Sequence, residues 1–245
     1  MRNQGYKSLE QEYGSLASRY DRRWWRYIDA SVHETLKRLE VAAGHYVLDV
    51  GCGTGALLEL LARRQPRGTY IGTDLSGEML AVARRRLPGA VALHRAAAES
   101  LPLAGATVDL LVSTSVFHFV RGPDLALQEM RRVLKPGGKL VITDWCRDYL
   151  SCKLLNRYLR RFSPAHYHMY GSSEVTSLLK RHGFERIHLE RYKISWLWGL
   201  FTATATNPRP LARTPSATVT AYDDQVAGAR GSDSGHGNCH RGLPI

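Results

Sequence analysis

At residues 48–55 the chain reads LDVGCGTG, an apolar run that breaks into alternate glycines and passes directly into a segment of helical period. Few junctions constrain a fold as tightly. A strand that turns through glycines into a helix opens a βαβ unit, and it aims the unpaired N–H groups of the helix at whatever lies over the strand end. The spacing is D-x-G-x-G-x-G, with Asp49 ahead of Gly51, rather than the G-x-G-x-x-G of dinucleotide sites. Such a turn suits a zwitterionic amino-acid ligand, with Asp49 facing an ammonium and the turn amides a carboxylate. Asp74 ends the next strand-like run in IGTDLS, where a carboxylate can accept from both hydroxyls of a ribose.

From residue 44 to residue 142 short apolar runs alternate with helical segments, the signature of βαβ units around a parallel sheet. YVLDV, TYIGTD, AVALH, VDLLVSTS and KLVITDW read as strands. ALLELLARR, GEMLAVARRRL and PDLALQEMRRVL read as the helices between them, and KPGG (Lys135 to Gly138) as a tight turn closing the last. The helical segments RDYLSCKLLNRYLRRF and SEVTSLLKRHG follow, then ERIHLERYKI and WLWGLFTATAT, which are expected to pair antiparallel at the sheet edge. The fold expected is α/β: a doubly wound, mostly parallel seven-stranded sheet of Rossmann-like type. Two N-terminal amphipathic helices between Leu9 and Leu39 are expected to act as a lid over it. The domains predicted are 1–40 for the lid, 41–206 for the main domain with a substrate-pocket insertion at 146–172, and 207–245 for a tail. That tail is rich in Pro, Gly, Ser and Thr and too poor in large apolar residues to offset its chain entropy.

A length of 245 residues with 44% apolar content supports one sizeable core. No run of about eighteen apolar residues is present, and the start lacks the apolar centre of a secretory signal, so a cytoplasmic location is expected. Cys52, Cys146, Cys152 and Cys239 show no metal-ligand spacing and read as free thiols. The formal charge of +12 would favour an anionic partner. Its arginines are dispersed over helices, however, and that is the ordinary distribution of a solvated surface.

Taken together, SLASRYD, VLDVGCGTG, TDLSGEML, AAAESLPL, VDLLVSTSVFHFV and EMRRVLKPGGKLVITDW resemble the class I S-adenosylmethionine-dependent methyltransferases. The similarity is to the group that includes ubiquinone and menaquinone biosynthesis enzymes and natural-product methyltransferases, and it runs from about Tyr13 to Thr206. It implies S-adenosylmethionine as cofactor, S-adenosylhomocysteine as product, and no metal. Gly51, Cys52, Gly53 and Gly55 would surround the methionine part and Asp74 the ribose. Leu75 and Met79 would flank the adenine, and Ser113 would complete the set. Relatives usually carry an acid where this chain has Ala97. The Ala98 backbone or Glu99 would have to take its place at the adenine amino group, and a reduced affinity is expected.

Methyl transfer chiefly needs alignment, dry surroundings and, for some acceptors, removal of a proton. The crevice expected at the carboxyl ends of the strands points to His118, as a candidate base because its ordinary pKa lies near neutrality or as a ring packed under the following loop, and to Asp144, as an orienter of an amine or hydroxyl or as the cap of the next helix. Tyr20, Trp24, Phe117, His118, Trp145, His166 and Tyr170 are the candidates for binding the acceptor. His166 and His168 lack a further ligand in register, so HYH does not read as a metal site. A small molecule, aromatic or amphiphilic, is the acceptor expected, methylated at N, O or C. A nucleic-acid methyltransferase and a catalytically silent cofactor-binding scaffold are the alternatives. Against the first, STSVFH lacks the N/D-P-P-Y/F motif; against the second, the glycine turn is complete. The sequence leaves the oligomeric state open.

Overall fold

The computed structural model describes residues 2–163 and 166–209. Helix α1 (Arg2–Leu36) precedes β1 (Tyr46–Val50), α2 (Ala56–Arg64), β2 (Thr69–Asp74), α3 (Gly77–Arg86), β3 (Ala92–Arg95) and β4 (Val108–Thr114). A short 3₁₀ turn (Phe117–Phe119), α4 (Pro123–Val133), β5 (Leu134–Trp145), α5 (Leu150–Phe162), α6 (Ser172–Arg181), β6 (Glu185–Lys193) and β7 (Gly199–Thr206) follow. The strands form one seven-stranded sheet in the order β3-β2-β1-β4-β5-β7-β6. Pairing is parallel from β3 to β5, and β7 runs antiparallel to both β5 and β6.

Strand period explains the layering. Val47, Leu110, Val112 and Val141 face one apolar cluster with Val32 and Leu36 of α1, Leu58 of α2 and Leu80 of α3. The alternate residues Leu48, Leu111, Leu140 and Ile142 face a second cluster with Leu127 and Met130 of α4 and Leu178 and Leu179 of α6. With both faces covered, the central strands read as nearly continuous apolar runs. β1 lies between β2 and β4, and the sense in which successive strands are added to the sheet reverses there. The crevice this creates lies above the carboxyl ends of β1 and β4.

Three local features differ from the sequence reading. α1 starts before Leu9, and the two helices expected run end to end within it, joined across a kink at Trp24 (φ −113°, ψ 15°). KPGG belongs to β5: Leu134 pairs with Val108, the register shifts, and Lys139 resumes opposite Leu110, with Gly137 at φ +83° carrying the irregularity. The main domain also extends past Thr206. Asn207 is buried, its backbone exchanges hydrogen bonds with Gly137 and Gly138, and its amide donates to the carbonyl of Leu134. Cys52, Cys146 and Cys152 are buried free thiols. Cys239 and the rest of the expected tail from residue 210 lie outside the described residues. No helix among the described residues is long and apolar enough to cross a membrane.

Candidate active site

The crevice is built from the turns that leave β1, β2 and β4, and α1 covers it. Asp49, Gly51, Cys52, Gly53 and Thr54 line its floor, with Asp74, Leu75 and Met79 on one side and Ala97, Ala98 and Glu99 beyond them. Gly53 sits at φ +53°, and a Cβ built on it would meet nothing within 4 Å, so the turn presents bare backbone to open space. The Asp74 carboxylate accepts from Gly53 N (2.9 Å) and from Ser76 N (2.8 Å), which fixes it at the joint between the two turns. Asp49 makes no side-chain hydrogen bond among the described residues. Burial and the nearby Asp74 push its carboxyl up to about 8, and burial also raises Asp74. Two neighbouring acids, one of them buried and without a hydrogen-bond donor among the described residues, form a site that favours a cationic group.

α1 closes the crevice with a row of tyrosines. Tyr6, Tyr13, Tyr20 and Tyr27 all line it. Burial lifts Tyr20 to about 12 and raises the other three as well, so all four are neutral phenols at physiological pH. Tyr27 OH lies 2.6 Å from Ser115 Oγ and accepts from Trp145 Nε1 at 2.7 Å. Polar ties fasten the lid. Tyr6 donates to Glu99, Arg95 pairs with Glu10, and Asp21 accepts from Thr54 Oγ1 (2.7 Å) and Arg86 (2.5 Å). Glu99 Oε1 also accepts from Gly122 N at 3.0 Å, whereas its Oε2 is buried without a partner.

Behind the crevice wall lies a second polar centre. Asp144 Oδ1 is 2.7 Å from His118 Nδ1 and accepts from Trp145 N at 2.6 Å, while Oδ2 accepts from His118 N at 2.9 Å. The carboxylate thus contacts both the backbone N–H and the Nδ1 edge of His118, which turns the Nε2 edge of the ring away from it. That Nε2 is buried with no partner. The ring is held between Trp145 (centroids 4.0 Å apart, 15°) and Phe119 (3.8 Å). His166 is buried nearby, its Nε2 2.9 Å from Asn156 Oδ1, and burial and His118 lower its pKa to about 4.

Of the cofactor residues expected from sequence, Asp49, Gly51, Cys52, Gly53, Asp74, Leu75, Met79, Ala98 and Glu99 come together on the crevice wall. Gly55 and Ser113 do not line it. Gly55 stands at φ +82° where a Cβ would fall 2.9 Å from Leu87 Cδ1, so its position serves the packing of α2 on α3. Ser113 Oγ is buried in the sheet without a partner. Of the acceptor candidates only Tyr20 lines the crevice. Trp24 marks the bend in α1. Phe117 and Tyr170 pack on each other in the core (5.0 Å), and His118, Trp145 and His166 form the centre behind the wall. The reading missed Tyr6, Tyr13, Tyr27 and Ser115. The signal for the tyrosines was present: they recur every seven residues, about two helical turns, and so share one face of α1. Among the described residues no group of three or more His, Cys, Asp or Glu is placed to hold a metal ion.

Comparison with known proteins agrees with this geometry. Residues 48–142 match the family described as "Methyltransferase domain". The chain is 38% identical over 149 residues to the ubiquinone/menaquinone biosynthesis C-methyltransferase of Syntrophotalea carbinolica, covering 59% of this chain and 60% of that protein. It is 40% identical over 134 residues to a transposon-encoded protein of Streptomyces fradiae, covering 51% of this chain and 39% of the relative. The matched regions thus span 60% and 39% of those relatives' lengths. A SAM-dependent methyltransferase from Thermotoga maritima superposes with a TM-score of 0.68 at 20% identity, over 81% of this chain and 99% of the other, which shows the fold. The glycine turn, the acid ending β2 and the sheet order therefore have one common explanation: residues 48–142 form a methyltransferase domain within a sheet of the class I fold.

Proposed function

We propose that the protein transfers a methyl group from S-adenosylmethionine to a small organic acceptor with an aromatic or amphiphilic body. The observation that carries this reading is the Asp74–Gly53 joint, where a fixed carboxylate borders bare backbone and open space beneath a lid. The residues fit the cofactor part by part. Asp49 suits the ammonium, and the amides of the Gly51–Gly53 turn suit the carboxylate. Asp74 suits the ribose, Leu75 and Met79 the adenine faces, and the unpartnered Oε2 of Glu99 the adenine amino group in the absence of an acid at Ala97. When bound, the cofactor supplies an electrophilic methyl group on a sulfonium.

The chain's own share is to align, to dry and to accept a proton. The neutral tyrosine row excludes water without placing a competing anion against the sulfonium. His118 is the base proposed, with Asp144 holding its Nδ1 edge, because its Nε2 is buried without a hydrogen-bond partner. Phe119 separates that ring from the crevice and packs edge-on against Tyr13 of the lid. Proton transfer to Nε2 therefore requires the lid or Phe119 to move.

The test is an untargeted metabolite screen with methyl-labelled cofactor, run beside a Gly53→Arg variant that fills the open space. Label in a small organic product with the parent and none with the variant is expected. Label confined to nucleic acid, or S-adenosylhomocysteine binding without turnover of any acceptor, would overturn the proposal. A His118→Gln variant should lower kcat while leaving S-adenosylhomocysteine binding unchanged.

A further inference from the structure

Helix α5 carries more apolar surface than the fold covers. Cys152 and Asn156 are buried and Leu155 and Leu159 partly so, which accounts for one side. Leu150, Leu154, Tyr158 and Phe162 remain 72%, 62%, 59% and 64% exposed. Spaced four apart, they drift only about 40° per step at about 100° per residue, so they form a continuous stripe along the solvent side. Beside it stand Lys153, Arg157, Arg160 and Arg161, all exposed, and α5 contains no acid. None of these four cations pairs with a carboxylate among the described residues, whereas Arg38, Arg86, Arg132, Arg147, Arg181 and Arg191 all do.

The turn between β6 and β7 extends this face. Ser151 Oγ donates to Leu197 O at 2.8 Å, which ties the turn to the start of α5, and Trp196 in the same turn is 82% exposed. Lys193 lies over the Tyr149 ring at 5.4 Å. A contiguous row of exposed Leu, Tyr, Phe and Trp flanked by unpaired cations is seldom left to water. Its composition is that of a helix lying in a lipid interface, with apolar side chains at the acyl boundary, aromatic rings at the headgroups and cations toward anionic lipid.

We propose that α5 and the β6–β7 turn dock the protein on an anionic lipid bilayer. A nucleic acid would engage the cations and leave the apolar stripe in water. A second copy meeting this one through the same face would set four cations against four. A bilayer satisfies both halves of the face. The proposal is independent of the methyl-transfer reading, since it concerns a surface outside the crevice.

Cosedimentation of the full chain with vesicles provides the test, using phosphatidylcholine alone and phosphatidylcholine mixed with phosphatidylglycerol. Binding is expected to the mixed vesicles, to rise with the anionic fraction and to weaken with salt. Arg157→Gln with Arg161→Gln should weaken it about 25-fold, at about fivefold per basic residue near an anionic surface. Leu154→Glu with Tyr158→Glu should abolish it at the same salt. Both pairs are exposed, and circular dichroism confirms folding. Absence of binding to the mixed vesicles would overturn the proposal. So would binding that survives Leu154→Glu with Tyr158→Glu but not the arginine changes, which marks a general polyanion site. A parent that sediments as a dimer, ignores vesicles and becomes monomeric with Leu154→Glu and Tyr158→Glu would assign the face to a second copy instead.

Discussion

The pH dependence of S-adenosylhomocysteine binding tests the electrostatics of the crevice most directly. Asp49 is 3% exposed, and burial and Asp74 hold its carboxyl at about 8 in the free protein. Near neutrality it therefore carries a proton. If Asp49 faces the ligand's ammonium, the complex favours the carboxylate, and binding must expel that proton. The sign follows: affinity rises with pH until about 8 and then levels off, by roughly tenfold per unit below that point, equivalent to about 1.4 kcal/mol each. Between about pH 6 and 7, where the ligand's amine remains cationic, the dissociation constant should thus fall close to tenfold.

Calorimetry in two buffers of different ionisation enthalpy at each pH measures both affinity and protons released. An Asp49→Asn variant should match the parent at the acid end and part from it as pH rises, with no proton released. A parent whose affinity is flat over this range, or whose binding enthalpy ignores the buffer, would refute the reasoning. The same shift acts on folding with the opposite sense. A carboxyl whose folded pKa is raised stabilises the free protein below the ordinary carboxylate range. That contribution is lost as pH climbs through about 8.

Three substitutions probe other parts of the structure. Asn207→Ala removes an amide that donates to the carbonyls of Leu134, Lys135 and Arg131; thermal unfolding should show a loss of about 2 kcal/mol, read as about 4–8 °C in Tm. Gly55→Ala forces a Cβ against Leu87 at φ +82° and should cost about 2–4 kcal/mol, while calorimetry finds S-adenosylhomocysteine affinity unchanged in the folded protein because Gly55 does not line the crevice. Ala97→Asp should change that affinity by less than about threefold if Glu99 Oε2 already serves the adenine amino group; a larger gain would leave Glu99 without that role.

What the sequence could and could not convey divides along physical lines. The sheet and the turns that build the crevice were legible because they rest on local rules: strand period, glycine at a strand-to-helix turn, and an acid at a strand end. Gly55 stands outside the crevice lining for an instructive reason. Its positive φ is a local need shared with Gly51 and Gly53, but what it approaches is Leu87, a neighbour only the packing of α2 on α3 supplies. Phe117 and His118 sat at the correct strand end, yet their side chains turn inward. Asp144 accepts from both the backbone and the ring of His118 and draws the 3₁₀ turn toward β5. The tyrosine row was in the sequence all along at a helical interval, and it became a site only when the lid's direction over the crevice was known.

That lid has two halves of different character, and the difference determines how a ligand enters. Beyond Trp24, Val32 and Leu36 are set into the apolar cluster with α2 and α3, so this half is part of the core. Ahead of Trp24 the helix is held by Tyr6 on Glu99, Glu10 on Arg95 and Asp21 on Thr54 and Arg86, and by Tyr13 edge-on to Phe119. The two ion pairs among these ties, Glu10–Arg95 and Asp21–Arg86, are partly exposed and contribute about 0–1 kcal/mol each, whereas the bend at Trp24 already interrupts the helical backbone. The first half should therefore open without the second. Hydrogen exchange should find amides before Trp24 less protected than those from Val32 to Leu36, and S-adenosylhomocysteine should slow exchange in the first group alone. Equal protection on both sides of Trp24 in the free protein, or ligand protection confined to the second half, would mean that the crevice fills by another route.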